Sequence, residues 1–245
     1  MRTPFDLAFL VLLAVVFPLA DHYWLFPRYL RQLKGAVPGA RAGLYRQTLL
    51  LEWGFSALAV VLWITQRHPW SALPFAQGAP WRLAIGAVLV AALVYLMARQ
   101  LGAVRRSAKA RASIRRQIGN VVSILPATPG ELRLFFALSV TAGICEEWLY
   151  RGVLSVLFAA WVGLPVAVLL ANVAFGFAHS YQGKKGIISS GLLGVVMSGI
   201  VLATGSLVPV MILHAVIDVG NGLSAYLAMT LADEAPGEVG AAAVG

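Results

Sequence analysis

The sequence is poor in charged residues and has a single cysteine. Only 12% of its 245 residues are Asp, Glu, Lys or Arg, and 60% are hydrophobic, whereas a soluble globular domain carries about 25% charged residues. The one cysteine, Cys145, excludes an internal disulfide and any metal site built from several cysteines. The composition excludes an ordinary soluble domain and is typical of a polytopic helical membrane protein.

Three sequence patterns are also missing. No internal repeat with a period of about 20–50 residues is visible, which excludes a repeat array. The chain also lacks the matching, broken hydrophobic segments that are typical of many transporters. No His-Glu-x-x-His segment is present, so a zinc site of the kind built on one helix is not expected.

Apolar runs of about 20 residues, the length that crosses a bilayer, recur along the chain. We predict an all-α, polytopic transmembrane helical bundle with about seven spans, within a range of six to eight. The fourth run is longer than one span needs, so it is either a tilted helix that projects from the bilayer or two shorter pieces. The first run resembles a retained helix more than a cleaved signal peptide. The runs cover residues 5–26, 47–66, 81–101, 131–159, 161–180, 186–204 and 206–231.

The net charge of +9 arises from basic residues concentrated in alternate loops. Of the 19 Lys and Arg residues, 13 lie in the first, third and fifth loops, and the intervening loops hold little more than Arg67 and Arg82. By the positive-inside rule, this pattern predicts an N-terminus outside and a C-terminus in the cytoplasm. We expect an integral protein of a bacterial inner membrane. A nucleic-acid partner is not expected, because the basic residues do not form one surface with interleaved aromatics.

The chain divides according to where its polar residues lie. We predict an N-terminal three-helix membrane region over residues 1–120, a four-helix core over residues 121–232, and a flexible or interfacial tail over residues 233–245. In the first region, ionisable residues such as Asp21 and Glu52 are expected near the ends of spans, where such side chains reach the interface.

Two adjacent carboxyl groups, Glu146 and Glu147, lie inside the fourth apolar run. A carboxylate at membrane depth costs about 2.5–3.5 kcal/mol on insertion scales, so both are expected to have a role. Arg151 follows Glu147 at i+4 on the same helix face, which predicts a supporting ion pair. Glu146 is rotated about 100° away and keeps its carboxyl group available for chemistry.

Two further polar pairs lie on later apolar runs. His179 follows Phe175 at i+4, and Asp218 follows His214 at i+4, so each pair shares a helix face. Asn221 extends the second stripe. Phe175 is expected to shape a cavity by packing.

Helix geometry places these groups inside the bilayer. If turns lie near residues 161 and 206, the rise per residue puts Glu146 and His179 about 22 and 27 Å from the same membrane side. His214 and Asp218 then lie about 12 and 18 Å from it. A carboxylate and two imidazoles in an apolar cavity suit hydrolysis, with Glu146 as the base for a water molecule. His179 would position that water or protonate the leaving amine, and His214 with Asp218 or Asn221 would donate hydrogen bonds to an oxyanion.

Three motifs, Glu-Glu-x-x-x-Arg (146–151), Phe-x-x-x-His (175–179) and His-x-x-x-Asp (214–218), occur in this order on successive apolar helices. Together they resemble the CAAX protease and bacteriocin-processing (CPBP, or ABI) family over about residues 121–230. The resemblance implies a glutamic-type intramembrane endopeptidase with Glu146 and His179 as water activators. It implies an oxyanion site at His214 and the last motif position, and a supporting pair of Glu147 and Arg151.

The last motif position departs from the prenyl-protein endopeptidases, which have Asn where this chain has Asp218. An ionised Asp218 would repel an oxyanion. Asp218 is therefore protonated, orients His214 instead, or leaves the role to another donor. Tyr150 is a milder departure, since another aromatic residue often stands there.

The predicted function is cleavage of a membrane-anchored or lipid-modified protein or peptide near the cytoplasmic half of the bilayer, without metal or cofactor. A prenylated C-terminus, a leader peptide and a C-terminal sorting helix (as for the myxosortase branch) are all open as substrates, and so is the oligomeric state. One alternative is a non-catalytic immunity or assembly factor, or a small transporter. Another is a zinc-dependent intramembrane protease with one glutamate and two histidines as ligands.

Overall fold

The computed structural model describes residues 2–75 and 79–232, which fold into helices joined by short turns. No β-strand occurs within these ranges, so the predicted all-α class is confirmed. Eight helices follow one another in this part of the chain. They are α1 (Pro4–Lys34), α2 (Ala40–Thr65), α3 (Pro80–Arg106), α4 (Ala108–Ile118), α5 (residues 129–162), α6 (Leu164–Ala178), α7 (Gly183–Thr204) and α8 (Val208–Thr230).

Each of the seven predicted apolar runs corresponds to one of the helices, with bounds that differ by a few residues, and α4 is the helix that hydropathy missed. Five segments of the described chain are long and apolar enough to cross a membrane: α1, α2, α3, α8 and the stretch Ser180–Thr204 that contains α7. The prediction of a polytopic helical membrane protein is confirmed, and the count of seven spans stays a prediction. The short helix α4 is rich in Arg and lies within the third basic loop, so it gives no apolar run.

The fourth apolar run folds as the single continuous helix α5. Thr128 caps its start by accepting a hydrogen bond from the backbone N–H of Glu131 at 3.2 Å, and the Glu131 carboxylate accepts one from the N–H of Ala127 at 2.8 Å. The middle of the helix, Glu147–Leu154, is wound as a π-helix between two α-helical parts. Departures of this kind are frequent at functional sites.

Helix α5 packs against α2 and α8 through its first half and against α6 through its second half. Gly143 allows the close approach to α8, because a Cβ there would lie 2.7 Å from the backbone oxygen of Met211. The two backbones therefore meet one turn before the glutamate pair. The buried core beside this contact includes Leu149, Val153, Leu154, Phe175, Val210 and Leu213.

The turns that join consecutive helices lie at the two ends of the bundle. At one end, the N–H of Leu207 donates to the carbonyl oxygen of Pro74 at 2.7 Å, and Arg2 donates to that of Ala160 at 2.5 Å. At the other end, the Tyr45 hydroxyl donates to the carbonyl oxygen of Ile124 at 2.6 Å. The three basic loops belong to this second end. That it faces the cytoplasm stays a prediction.

The first two helices are longer than hydropathy indicated. Helix α1 continues to Lys34 and α2 begins at Ala40, so Asp21 and Glu52 lie well inside helices. Both line the cavity described below, because polar residues beyond the apolar runs continue the helices. The expectation that they reach the membrane interface stays a prediction. The proposed division at residue 120 stays a prediction, and α2–α5 and α3–α8 pack across it. The predicted tail, 233–245, lies outside the described residues.

A buried contact between a carboxylate and an imidazole links the start of α1 to the turn after α2. Asp6 is fully buried, and one of its carboxylate oxygens lies 2.7 Å from Nε2 of His68. The other carboxylate oxygen accepts from the backbone N–H of Thr3 at 2.9 Å. This contact holds together two helices that form walls of the cavity described below.

We expect His68→Ala to destabilise the protein by about 3–5 kcal/mol, because it leaves the Asp6 carboxylate buried without its partner. Unfolding of the purified protein in detergent measures the effect. The matched control is the double variant Asp6→Ala/His68→Ala, which should lose less than the sum of the two single variants. A single variant as stable as the wild type would contradict this account.

Candidate active site

The buried carboxylate of Glu147 joins two helices. Glu147 has no solvent exposure, and its Oε1 accepts a hydrogen bond from the Arg151 guanidinium at 3.0 Å. The same oxygen accepts one from Nδ1 of His214 on α8 at 2.8 Å. The Glu147–Arg151 pair expected from i+4 spacing is present. The bond to His214 crosses 67 residues of chain, and helical spacing gives no sign of it.

Arg151 extends the network to α6 and α7. Its second terminal nitrogen donates to Oδ1 of Asn172 at 3.4 Å, and the amide of Asn172 donates to the hydroxyl of Ser198 at 2.9 Å. The guanidinium also lies 3.9 Å from the centre of the Phe175 ring, a cation–π contact. Asn172 therefore acts as an interhelical hydrogen-bonder, and Phe175 packs between the network and the histidines.

Glu146 points away from this network and towards both histidines. Its Oε2 lies 3.9 Å from Nε2 of His179 and 3.8 Å from Nε2 of His214. Both distances exceed a direct hydrogen bond, and Oε2 has no hydrogen-bond partner among the described residues. The two glutamates therefore differ as expected: Glu147 is held in an ion pair, and Glu146 is available.

The hydrogen bonds of the two imidazoles fix the face that each presents. Nδ1 of His179 lies 2.9 Å from the backbone oxygen of Phe175, and because a carbonyl oxygen only accepts, Nδ1 carries the hydrogen. Nδ1 of His214 likewise donates to the Glu147 carboxylate. In both residues the Nε2 atom is left facing Glu146. Two helices thus aim equivalent ring nitrogens at one carboxylate.

Asp218 and Asn221 complete the α8 stripe. Oδ2 of Asp218 lies 3.6 Å from Nε2 of His214, and its side chain is 37% exposed. Asn221 lines the cavity one turn further along α8. Asp218 therefore stands beside the imidazole of His214, while Asn221 lies farther along the cavity wall.

The site opens into a largely apolar cavity of about 380 Å³. Its walls include Glu146 and His179, together with many residues of α1 and α2. The N-terminal region, for which the sequence offered no role, therefore builds part of the site. The walls supplied by α1 and α2 are Leu13, Phe17, Asp21, Leu25, Phe26, Leu44, Tyr45, Gln47, Thr48, Leu51, Glu52 and Phe55.

Sequence reasoning missed Glu52 as a cavity residue. Its side chain is buried and lies on the cavity wall. A usable signal was present, because Glu52 is the single acidic residue in the second apolar run. The cost of burying a carboxylate, applied to the glutamate pair, applies to it equally.

The donor arrangement bears on the zinc alternative. Within the described ranges, no group of three or more His, Cys, Asp or Glu side chains has a geometry that could hold a metal ion. Glu146, His179 and His214 are close together, and the hydrogen bonds at Nδ1 leave Nε2 of each imidazole facing the carboxylate, but these three side chains are not among groups with metal-binding geometry. We therefore assign no ligand set.

We expect Gly194→Ala to disturb the supporting network. An added Cβ would collide with Oδ1 of Asn172 and lie 2.5 Å from the Arg151 guanidinium. Both groups are held by the hydrogen bonds described above, so one bond must break, and stability and activity should both fall. Gly199→Ala on the same helix meets nothing within 4 Å and should be neutral or slightly stabilising. Equal melting temperatures of the two variants in detergent would refute the packing argument.

Comparison with known proteins bears on the same residues. Residues 128–220 match a family model described as type II CAAX prenyl endopeptidase, Rce1-like. The matched segment begins at the cap of α5 and includes all three motifs. No curated protein and no solved structure shows a significant match to the chain. The resemblance to the CPBP family is therefore confirmed over residues 128–220, which are less than half of the chain.

Proposed function

We propose that the protein is a glutamic-type intramembrane endopeptidase that hydrolyses a membrane-anchored or lipid-modified protein or peptide. The observation that carries the proposal is the position of Glu146. Its Oε2 lies within 3.9 Å of the Nε2 atoms of His179 and His214, and it faces a cavity inside the helical bundle. The family match supports protease activity at the coarser level.

The gap between Glu146 and His179 suits one water molecule. A water about 2.8 Å from each atom directs one hydrogen at the carboxylate and the other at the ring nitrogen. Neutral His179 is an acceptor at Nε2, because its hydrogen is at Nδ1. The pair thus orients the water oxygen towards the cavity and the scissile carbonyl group.

Hydrolysis proceeds in two steps, attack by water and cleavage of the peptide bond. Glu146 takes one proton from the water as the water oxygen bonds to the carbonyl carbon, and the carbonyl oxygen becomes negative. The carbon–nitrogen bond then breaks as Glu146 returns that proton to the leaving amine. The products are a new carboxyl terminus and a new amino terminus, and no acyl-enzyme forms.

His214 is the group we assign to the developing oxyanion. To donate from Nε2 it must be an imidazolium, since Nδ1 already donates to Glu147. Three carboxyl groups surround it: Glu147 at 2.8 Å, Asp218 at 3.6 Å and Glu146 at 3.8 Å. This surrounding charge favours the imidazolium. Asp218 therefore supports the charge of His214 and need not touch the oxyanion, with Asn221 as a further donor.

The positions of the basic loops support a proposal for the orientation of the protein. The basic loops lie at the end of the bundle where α5 begins and α6 ends, which supports a cytoplasmic assignment for that end and an external N-terminus. We place the protein in a bacterial inner membrane. No cofactor enters the proposed chemistry, and the substrate reaches the site from the bilayer.

We expect Glu146→Gln to lower the cleavage rate by about 10²–10⁴-fold while the protein still inserts and folds, because the amide cannot take the proton from water. His179→Ala should lower the rate by about 10²–10⁴-fold. The measurement is cleavage in detergent or liposomes, with products located by mass spectrometry. Candidate substrates come from membrane-protein termini that change in cells lacking active Glu146.

The matched control is Cys145→Ala, which changes the buried neighbour of Glu146 and should retain activity. Wild-type cleavage by the Glu146→Gln protein would show that the mechanism is wrong. Full cellular function of that variant would favour a non-catalytic immunity or assembly factor, or a small transporter.

A further inference from the structure

The ionisable residues that line the largely apolar cavity are mostly acidic, although the protein as a whole is basic. Of the chain's ten Asp and Glu residues, four line it: Asp21, Glu52, Glu146 and Asp218. None of the 19 Lys and Arg residues does, and all 19 lie in the part of the chain that the structure describes. The guanidinium of Arg151 is bound by Glu147 outside these walls. The one imidazole among the lining residues is that of His179.

Glu52 is the most buried of these four residues. Its residue exposure is 9%, and its Oε2 is buried without a hydrogen-bond partner among the described residues. The charged groups that act on it most strongly are Glu146 and His214, followed by Asp218. Asp21, by contrast, interacts with His22 and His179. Glu52 therefore lies near the proposed water-activating carboxylate, and no Lys or Arg among the described residues lines the cavity with it.

We propose that this cavity binds a basic side chain of the substrate, Arg or Lys, next to the scissile bond, with Glu52 as the specificity-determining residue. The proposal rests on the proposed function, and it names the class of substrate that the site takes. A cavity of about 380 Å³ falls in the range of about 300–1,000 Å³ that is common for ligand sites. The lining offers carboxylates for the cation and apolar walls for its stem.

The cost of burying the Glu52 carboxyl group would favour a substrate with a basic side chain. A buried carboxyl group without a partner is destabilising, and a cation that hydrogen-bonds to it removes that cost. A substrate with a neutral side chain leaves Glu52 unpaired, and one with an acidic side chain adds repulsion from Glu146 and Asp218. A hydrogen bond to a charged group contributes about 1.5–3 kcal/mol, which corresponds to a preference of about tenfold or more.

The test uses hydrophobic, fluorescence-quenched peptides in detergent that differ only in the residues flanking the cleavage site, with Arg, Lys, Met or Glu at each position. The full-length wild type should cleave the Arg or Lys peptide about tenfold faster, in kcat/KM, than the Met peptide. Glu52→Gln should bring that ratio close to one. Glu131→Gln is the matched control, because it removes a carboxylate outside the cavity, and it should leave the ratio unchanged.

A second measurement separates this proposal from the proposed function. Binding of the uncleaved Arg and Met peptides is compared between the Glu146→Ala protein and the Glu146→Ala/Glu52→Gln protein by fluorescence anisotropy. The Arg peptide should bind more tightly to the first protein, and the double variant should lose that advantage. If no peptide is cleaved but this difference in binding is found, the proposed function fails and the acidic subsite stands. A wild type without basic preference in either assay, or a preference that survives Glu52→Gln, would overturn the subsite.

Discussion

The rest of the site depends on one buried carboxylate that accepts hydrogen bonds from an arginine and a histidine. Glu147 is fully buried, and its Oε1 accepts hydrogen bonds from both Arg151 and His214. An ionised carboxylate without partners would be very costly at this depth. Its partners are therefore obligatory, and their positions are fixed. Through Arg151 and Asn172 the constraint reaches α6 and α7, and through His214 it reaches α8.

This constraint leaves Glu146 with the opposite role. The residue before Glu147 has to point elsewhere, and the approach of α8 at Gly143 brings the ring of His214 into its path. The π-helical winding of Glu147–Leu154 keeps Arg151 on the side of Glu147. Structural and chemical roles are thus separated between neighbouring residues by the geometry of one helix. Phe175 maintains the separation, since its ring lies between Arg151 and the imidazoles.

Much of this arrangement could be predicted from sequence because it depends on local spacing. The i+4 pairs and the expense of charges in an apolar run identified Glu146, Glu147, Arg151, His179 and His214, and helix rise indicated that they lie inside the bilayer. The contacts that could not be predicted are non-local. The His214–Glu147 hydrogen bond depends on how α5 and α8 pack, which no periodicity records.

The contribution of the N-terminal region was missed for a related reason. Asp21 and Glu52 lie close to the ends of their apolar runs, and hydropathy does not record that polar residues continue the helices to Lys34 and from Ala40. The family match covers residues 128–220, so α1 and α2 lie outside it. Helices α1 and α2, which contain none of the three motifs, supply much of the cavity wall. Residues on this wall would contact a bound substrate and could determine its selectivity.

The central claim is that Glu146 and His179 act together on one water molecule. The most direct measurement is a double-mutant cycle in kcat/KM with Glu146→Gln, His179→Ala and the double variant. The account predicts that kcat/KM of each single variant falls by about 10²–10⁴-fold. The double variant should be as active as the less active single variant, because either substitution already removes the oriented water. Losses that multiply, or a single variant with wild-type activity, would contradict the claim.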